Sequence, residues 1–320
     1  MVEALSEALI EDAPLLVIAG PTASGKTSLA MSVAEKFGGE IVSCDSVAVY
    51  RLMDIGSAKP TPEQRSRVRH HCVDIFWPDE PCTAGDYARA ARAAIADIRG
   101  RGRLPIVAGG TGLYLRALLQ GLAPAPKRDP QMRLRLHALV DKRGSAYVHR
   151  LLQRIDAVAA GNIHANDTPK LIRSIEVAMA GGKPQTEQWR AGRDPLRGYT
   201  VLQVVLSPQR EELYERINVR AATMFARELV RETEMLVERF AAECAALKSL
   251  GYAQALAVLR GDMTAEAAVA AAQQGHRNYA KRQLTWFRRE GDMQWLKGFG
   301  DEGAIQAKCL SMVASHVAGE

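Results

Sequence analysis

The chain has 320 residues, 47% hydrophobic and 24% charged, enough apolar material to bury a core in one large domain or two smaller ones. Disorder, collagen and coiled coil are thereby excluded as descriptions of the whole. Lys and Arg number 42 against 36 Asp and Glu, and the resulting +6 permits an anionic partner without requiring one.

The N-terminal stretch, with Glu3, Glu7, Glu11 and Asp12, lacks the basic start of a signal peptide and reads as a short tail. Leu15 to Ala19 is an apolar run that stops at Gly20, as a fully buried parallel strand does. From Lys26, the recurrence of Leu29, Val33 and Phe37 predicts a helix that Gly38-Gly39 ends. Ile41 to Cys44 follows as a second strand. Thr83 and Asp86 resemble a capping box opening an Ala/Arg-rich helix to about Arg99, and Pro105 to Ala108 is another buried strand, ending in Gly109-Gly110. This rhythm argues for a parallel sheet with helices on both faces.

Composition shifts near Gly121, where Pro124, Pro126 and Pro130 form a linker. Helical periodicity alone follows to about Gly198. Tyr147, Leu151 and Ile155 share one face; Leu171, Ile175 and Met179 share another, in a helix capped by Asp167 or Thr168 with Pro169 in its first turn and Gly181-Gly182 behind. Val201 to Leu206 returns as a strand, and Pro208 to about Arg289 is helical again. No run approaches the roughly 18 consecutive apolar residues of a membrane span. The five cysteines (Cys44, Cys72, Cys82, Cys244, Cys309) include no Cys-x-x-Cys pair, which argues against a disulfide framework or a structural zinc site and fits a reducing cytosol. A soluble cytoplasmic protein is expected.

Gly20-Pro21-Thr22-Ala23-Ser24-Gly25-Lys26-Thr27 matches G-x-x-x-x-G-K-[ST] between a predicted strand and a predicted helix, the context the motif needs. Its backbone N–H groups and the helix N-terminus would cradle phosphate oxygens. Lys26 would reach the outer phosphate and the Thr27 hydroxyl would ligate Mg²⁺. The expected fold is therefore α/β, a P-loop NTPase-like parallel sheet flanked by helices. Its core would span 14–120 and 199–297, with an all-helical insertion at 121–198 and tails at 1–13 and 298–320.

A phosphate loop does not say which phosphate. Asp45-Ser46, after the second strand, lies at the carboxyl edge of the sheet, where Asp45 can hold Mg²⁺, cap a helix or act as a general base. Gly109-Gly110-Thr111-Gly112 permits close backbone approach to a ligand, or is a plain strand-to-helix turn. Between Lys127 and Arg154 eight cations face two acids, a local +6 suited to a polyanion or to a solvated helix face. Near the C-terminus, Arg277 to Arg289 interleaves cations with aromatics. On a helix Lys281, Thr285 and Arg288 form one stripe and Tyr279, Gln283 and Trp286 another.

In order along the chain stand GPTASGKT, DSVAVYRLMDIGSAKP (Asp45 to Pro60), HHCVDI (His70 to Ile75), GGTGLYLRALLQGL (Gly109 to Leu122), LKSLGY (Leu247 to Tyr252) and YAKRQLTWFR (Tyr279 to Arg288). Together they closely resemble the bacterial tRNA dimethylallyltransferase (isopentenyltransferase) family, from about Leu15 to Arg289. The resemblance implies transfer of a dimethylallyl group from dimethylallyl diphosphate, with Mg²⁺, to N6 of the adenine 3′-adjacent to the anticodon. It implies that the loop binds the prenyl diphosphate, that Asp45 is the general base, and that Thr111 and Arg220 belong to the catalytic site. Asp45, Ser46, Val47, Ala48, Thr111 and Arg133 would contact tRNA. So would Lys170 and Arg173, Gly251 and Tyr252, and Lys281, Arg282, Gln283, Thr285, Trp286 and Arg288. The partner would be the anticodon stem-loop, and a monomer is expected. Departures from the family pattern are Ala48 for Gln, Ser57 for Thr, Pro169-Lys170 for Gln-Arg, His276 for Thr, and no glycine shortly after Met224. A small-molecule kinase, a transferase acting on free adenine nucleotides and a non-catalytic RNA-binding protein are the rival readings.

Overall fold

The computed structural model describes residues 12–123, 125–126, 128–189 and 192–319. The tail through Glu11, linker residue Pro124 and Lys127 of the basic run lie outside the described residues. The chain forms two compact units, one holding it up to Leu119 and again from Leu196, the other Gln120–Pro195.

The first unit opens with β1 (Ala13–Ala19), α1 (Lys26–Phe37), β2 (Glu40–Cys44), α2 (Pro62–Arg67) and β3 (His70–His71), followed by α3 (Ala84–Gly100), β4 (Pro105–Gly109) and α4 (Gly112–Leu119). The second unit is all helical: α5 (Pro130–Arg143), α6 (Ser145–Ile155), α7 (Ala157–Asn162), α8 (Thr168–Gly181) and α9 (Gln185–Trp189). The first unit then resumes with β5 (Tyr199–Leu206), α10 (Arg210–Ala226), α11 (Leu229–Phe240), α12 (Tyr252–Leu259), α13 (Ala265–Phe287), β6 (Gln294–Leu296) and α14 (Gly303–Ala318).

The six strands form one parallel sheet in the order β3-β2-β4-β1-β5-β6. Strand β1 is apolar throughout because both its faces are covered. Leu15, Val17 and Ala19 pack with Tyr87, Ala91, Ile95 and Ile98 of α3. Leu16 and Ile18 pack with Leu29 and Val33 of α1 and with Ile305, Cys309 and Val313 of α14. The capping box holds: Asp86 N–H donates to the Thr83 hydroxyl, and the Asp86 carboxylate accepts from Thr83 N–H at 2.9 Å.

Three elements differ from the sequence reading. Residues 298–320, expected as a tail, contain α14, whose buried Ile305, Cys309 and Val313 close one face of the sheet. β3 is two histidines and β6 three residues at the sheet edges, too short for a period-two signal.

The second unit has its own core, centred on Leu136, Val148, Leu152, Leu171, Ile172 and Ile175. Asp167, rather than Thr168, caps α8, and Gly182 ends it in the left-handed conformation. Tyr147 and Leu151 border this core, whereas Met179 is exposed.

Candidate active site

Strand register places the site. Ala19 pairs with Gly109, and Gly109 with Cys44, so Gly20, Gly110 and Asp45 leave the sheet side by side at its carboxyl edge. They open onto a cleft of about 400 Å³. Gly20 to Thr27 wraps between β1 and α1, with Gly25 in the left-handed region at φ 84°. No side chain caps α1 and no acid lies in its first turn, so its N–H groups are left for an anion. Lys26 Nζ donates to Pro21 O at 2.6 Å. Burial, and then Arg220, pull the Lys26 pKa down to about 7, against the opposing pull of Asp45. Ser24 Oγ, Arg220 Nε and His276 Nε2 are buried without a hydrogen-bond partner among the described residues, the first two on residues that line the cleft. Arg220 is pushed below its ordinary pKa by burial, and Asp45 acts to raise it.

Asp45 lines the same cleft. Its Oδ1 accepts from Val47 N–H at 2.8 Å and Ala48 N–H at 3.1 Å, closing a tight turn, while Oδ2 makes no hydrogen bond among the described residues. Thr111 stands one step behind the cleft wall. Its N–H donates to Cys44 O at 3.2 Å, and its Oγ1 accepts from Ser46 N–H at 3.2 Å. Burial, then Asp45, push the Tyr279 hydroxyl up to about 12, so it remains a hydrogen-bond donor at neutral pH.

The glycines at the end of β4 leave room for close packing, and Gly109 and Gly110 also line the cleft. A Cβ on Gly109 would sit 2.1 Å from Cys44 O, on Gly110 2.1 Å from Gln283 Nε2, and on Gly112 2.3 Å from the Trp286 ring. Helix α13 packs into that gap. Gln283 Nε2 donates to Gly110 O at 2.8 Å, and its Oε1 accepts from Thr22 N–H at 2.8 Å, bridging the two strand-end loops.

The cleft thus gathers Thr22 to Thr27, Asp45, Ala48, Arg220 and Gln283 from the sequence-expected residues. Two of the expected RNA contacts are engaged inside the protein. Tyr252 is wholly buried, its ring against Gly56 and its hydroxyl on Glu232, so its side chain offers nothing to RNA. Gln283 is only 5% exposed and serves the bridge just described. Lys281, Arg282, Thr285 and Arg288 do lie on the exposed face of α13, and Trp286 is half-buried beneath the Arg116 guanidinium. Gly251, at φ 89°, starts α12.

In the second unit Arg133 forms a two-point pair with Glu176 (3.0 and 3.1 Å), itself 2% exposed, and Arg173 donates to Pro126 O. Lys170 is exposed and pairs with Asp167.

Sequence reasoning missed Lys59, His70, Arg216 and Tyr279 as cleft residues. Tyr279 carried a signal, since it shares the Gln283 stripe; the others arrive from distant segments. Arg216 is held by Asp301 at 2.7 and 2.8 Å. His70 Nδ1–H donates to Val68 O at 2.8 Å, and burial lowers its pKa.

Fold and site define a protein of the phosphate-loop α/β class in which an anion cradle and a free carboxylate oxygen share one cleft. The chain belongs to the IPP transferase family, whose sequence model matches residues 48–290, while a model described as isopentenyl transferase matches 13–75. It is 57% identical over 304 residues to the tRNA dimethylallyltransferase of Koribacter versatilis (strain Ellin345), covering 95% of this chain and 99% of that one. It is 51% identical to the tRNA dimethylallyltransferase of Solibacter usitatus (strain Ellin6076), with 95% and 99% covered. The crystal structure of the full-length tRNA isopentenylpyrophosphate transferase from Bacillus halodurans is 34% identical and superposes with a TM-score of 0.71, over 96% of this chain and 97% of that one. No described helix is long and apolar enough to cross a membrane.

Proposed function

We propose that this protein transfers a dimethylallyl group from dimethylallyl diphosphate to N6 of the adenine 3′-adjacent to the anticodon, in tRNAs reading codons that begin with U. The observation that carries this reading is the convergence of the phosphate cradle at 20–27, Arg220 and Asp45 on one cleft, in a chain of the IPP transferase family.

In the reaction the allylic C–O bond to diphosphate breaks, and a C–N bond to the exocyclic amine forms. Negative charge grows on the departing diphosphate, where the cradle N–H groups, Lys26 and Arg220 stabilise it. Nearby Asp45, its Oδ1 held by the turn, presents Oδ2 to take the N6 proton. An adenine stacked in a loop cannot reach that oxygen, so it must be extruded into the cleft.

The donor set suits Mg²⁺. Thr27 Oγ1 makes no hydrogen bond among the described residues and shares the cleft with Asp45, and Mg²⁺ typically takes one or two protein oxygens plus phosphate oxygens and water. When bound it would neutralise diphosphate charge. Exposed cations suited to RNA phosphates lie in each unit taken by itself: Lys281 and Arg282 on α13 with Arg288 at its C-terminal cap, and Arg135, Lys142, Arg143, Arg150 and Arg154 in the second unit.

Incubation with radiolabelled dimethylallyl diphosphate, Mg²⁺ and unmodified tRNA tests the reading. Label should enter the RNA. Unlabelled RNA together with phosphoryl transfer from ATP would favour the kinase reading instead.

A further inference from the structure

Glu232, on α11, is 7% exposed, and no cation pairs with it among the described residues. A carboxylate taken out of water is costly unless hydrogen bonds replace the solvent. Here three successive backbone N–H groups do so. Asp54 N–H donates to Oε2 at 3.1 Å, Ile55 N–H to Oε2 at 2.9 Å and Oε1 at 3.1 Å, and Gly56 N–H to Oε1 at 3.4 Å. The Tyr252 hydroxyl donates to Oε1 at 2.6 Å and accepts from Gly56 N–H at 3.2 Å. Gly56 lies against the Tyr252 ring so closely that a Cβ would come within 2.4 Å of Cε2. One carboxylate thus fills a concave nest of main-chain donors.

The segment fixed in this way belongs to the cleft. Residues 54–56 begin the irregular loop 54–60, whose other half, Ser57, Ala58, Lys59 and Pro60, is a wall of the cleft. Lys59 completes that wall from inside, donating to Tyr50 O at 2.6 Å, Asp54 Oδ1 at 2.8 Å and Asp74 Oδ1 at 2.6 Å. Neither Glu232 nor Tyr252 lines the cleft.

We infer that Glu232 and Tyr252 are positioning residues for the prenyl transfer: they pin the backbone at 54–56 so that residues 57–60 hold the cleft at the width that aligns donor and acceptor. The inference rests on reading the cleft as the donor site, and it gives the buried Tyr252 a role other than RNA contact. A misplacement of about 1 Å can cost ~100-fold in rate, so a loop anchor far from the chemistry is felt in turnover.

The test uses the full chain with dimethylallyl diphosphate, Mg²⁺ and unmodified tRNA, and compares wild type, Tyr252→Phe, Glu232→Gln and Glu232→Ala. Glu232→Gln keeps the shape but turns an NH₂ toward main-chain N–H groups. It should lower kcat/KM for the donor by ~10–100-fold, with Tyr252→Phe intermediate and tRNA affinity by filter binding within about twofold of wild type. Acetate should partly rescue Glu232→Ala by entering the vacated nest, which lost stability alone would not allow. Amide exchange at 54–59, measured without substrate, should speed up in every variant. Unchanged exchange or unchanged donor kinetics in folded variants would overturn the inference. So would a loss confined to tRNA affinity, or a loss that follows the melting temperature with no acetate rescue. A wild type that transfers no prenyl group would refute the donor reading instead, and the exchange result then decides whether the anchor exists.

Discussion

Asp45→Asn is the sharpest probe of the chemistry, because the structure separates the two oxygens of this side chain. Oδ1 is committed to the turn through Val47 N–H and Ala48 N–H, and an asparagine carbonyl can accept both bonds unchanged. Oδ2 makes no hydrogen bond among the described residues, and an amide NH₂ there cannot accept a proton. The turn should therefore survive, with stability altered by no more than about 0.5 kcal/mol. Loss of the positioned base should lower the rate of transfer by roughly 10²–10⁴, equivalent to about 3–5 kcal/mol of transition-state stabilisation.

Single-turnover rates, with enzyme in excess over tRNA, read that step without product release. A metal-ligand role has a different signature: the mutation would weaken donor binding, and raising Mg²⁺ would partly restore it. Rates are therefore measured at two Mg²⁺ concentrations, alongside tRNA affinity and thermal melting. A mutant rate within a few-fold of wild type, in protein that melts normally, would refute the assignment of Asp45 as the base.

Other consequences are open to test. With its pKa near 7, free Lys26 is mostly neutral at pH 8, and a bound diphosphate favours its charged form. Donor binding at pH 8 should therefore take up close to one proton, and affinity should fall about tenfold per pH unit above about 7, until the bound-state pKa is reached; titration calorimetry in buffers of different ionisation enthalpy measures both. Gly110→Ala should displace Gln283, free Thr22 N–H and weaken donor binding by about 1–3 kcal/mol, checked as donor KM. Arg135→Ala should shallow the salt dependence of tRNA affinity by roughly 0.7–0.9 log units per decade of salt for each phosphate that the arginine neutralises. Arg133→Ala should instead lower the melting temperature, since it strips buried Glu176 of its two-point partner and leaves it Arg173 at 3.6 Å, at a cost on the order of 1–3 kcal/mol.

The parts of the fold legible in the sequence are those whose physics is local. β1 is legible because two helical layers cover it and every residue from Leu15 to Ala19 must be apolar. The helix after the phosphate loop is legible from Leu29 and Val33, which are buried at the spacing of one face. Helix α14 was legible in principle: Ile305, Cys309 and Val313 fall four residues apart, but nothing nearby in sequence says what they cover. β3 and β6 carry too few residues for any pattern.

The site divides the same way. Gly20 to Thr27 encodes its own geometry, and Asp45 follows from the end of a recognisable strand. Lys59, His70 and Arg216 enter through loop and helix packing that no local spacing specifies. The burial of Tyr252 is illegible for the opposite reason: a motif can be diagnostic of a family while its aromatic side chain packs inside the core.

Helix α13 shows why the motif YAKRQLTWFR is so compact. Its outward side chains are Lys281, Arg282, Thr285 and Arg288, free to meet a polyanion. Its inward side chains settle the strand-end loops: Gln283 joins Thr22 to Gly110, next to Thr111, which accepts from Ser46 N–H, and Trp286 fills the space that glycine leaves at 112. The phosphate cradle, the loop after β4 and the Asp45 turn are therefore referenced to one rigid element. Had the exposed cations and the loop-facing groups been on separate elements, each would need its own packing to stay in register. With both sets on opposite faces of one helix, a rotation of that helix moves them together, so the phosphate loop and the Asp45 turn are positioned by the same packing. The glycines at 109, 110 and 112, readable in the sequence as a ligand-approach turn or a plain strand-to-helix turn, give the space that packing requires, and 109 and 110 line the cleft as well.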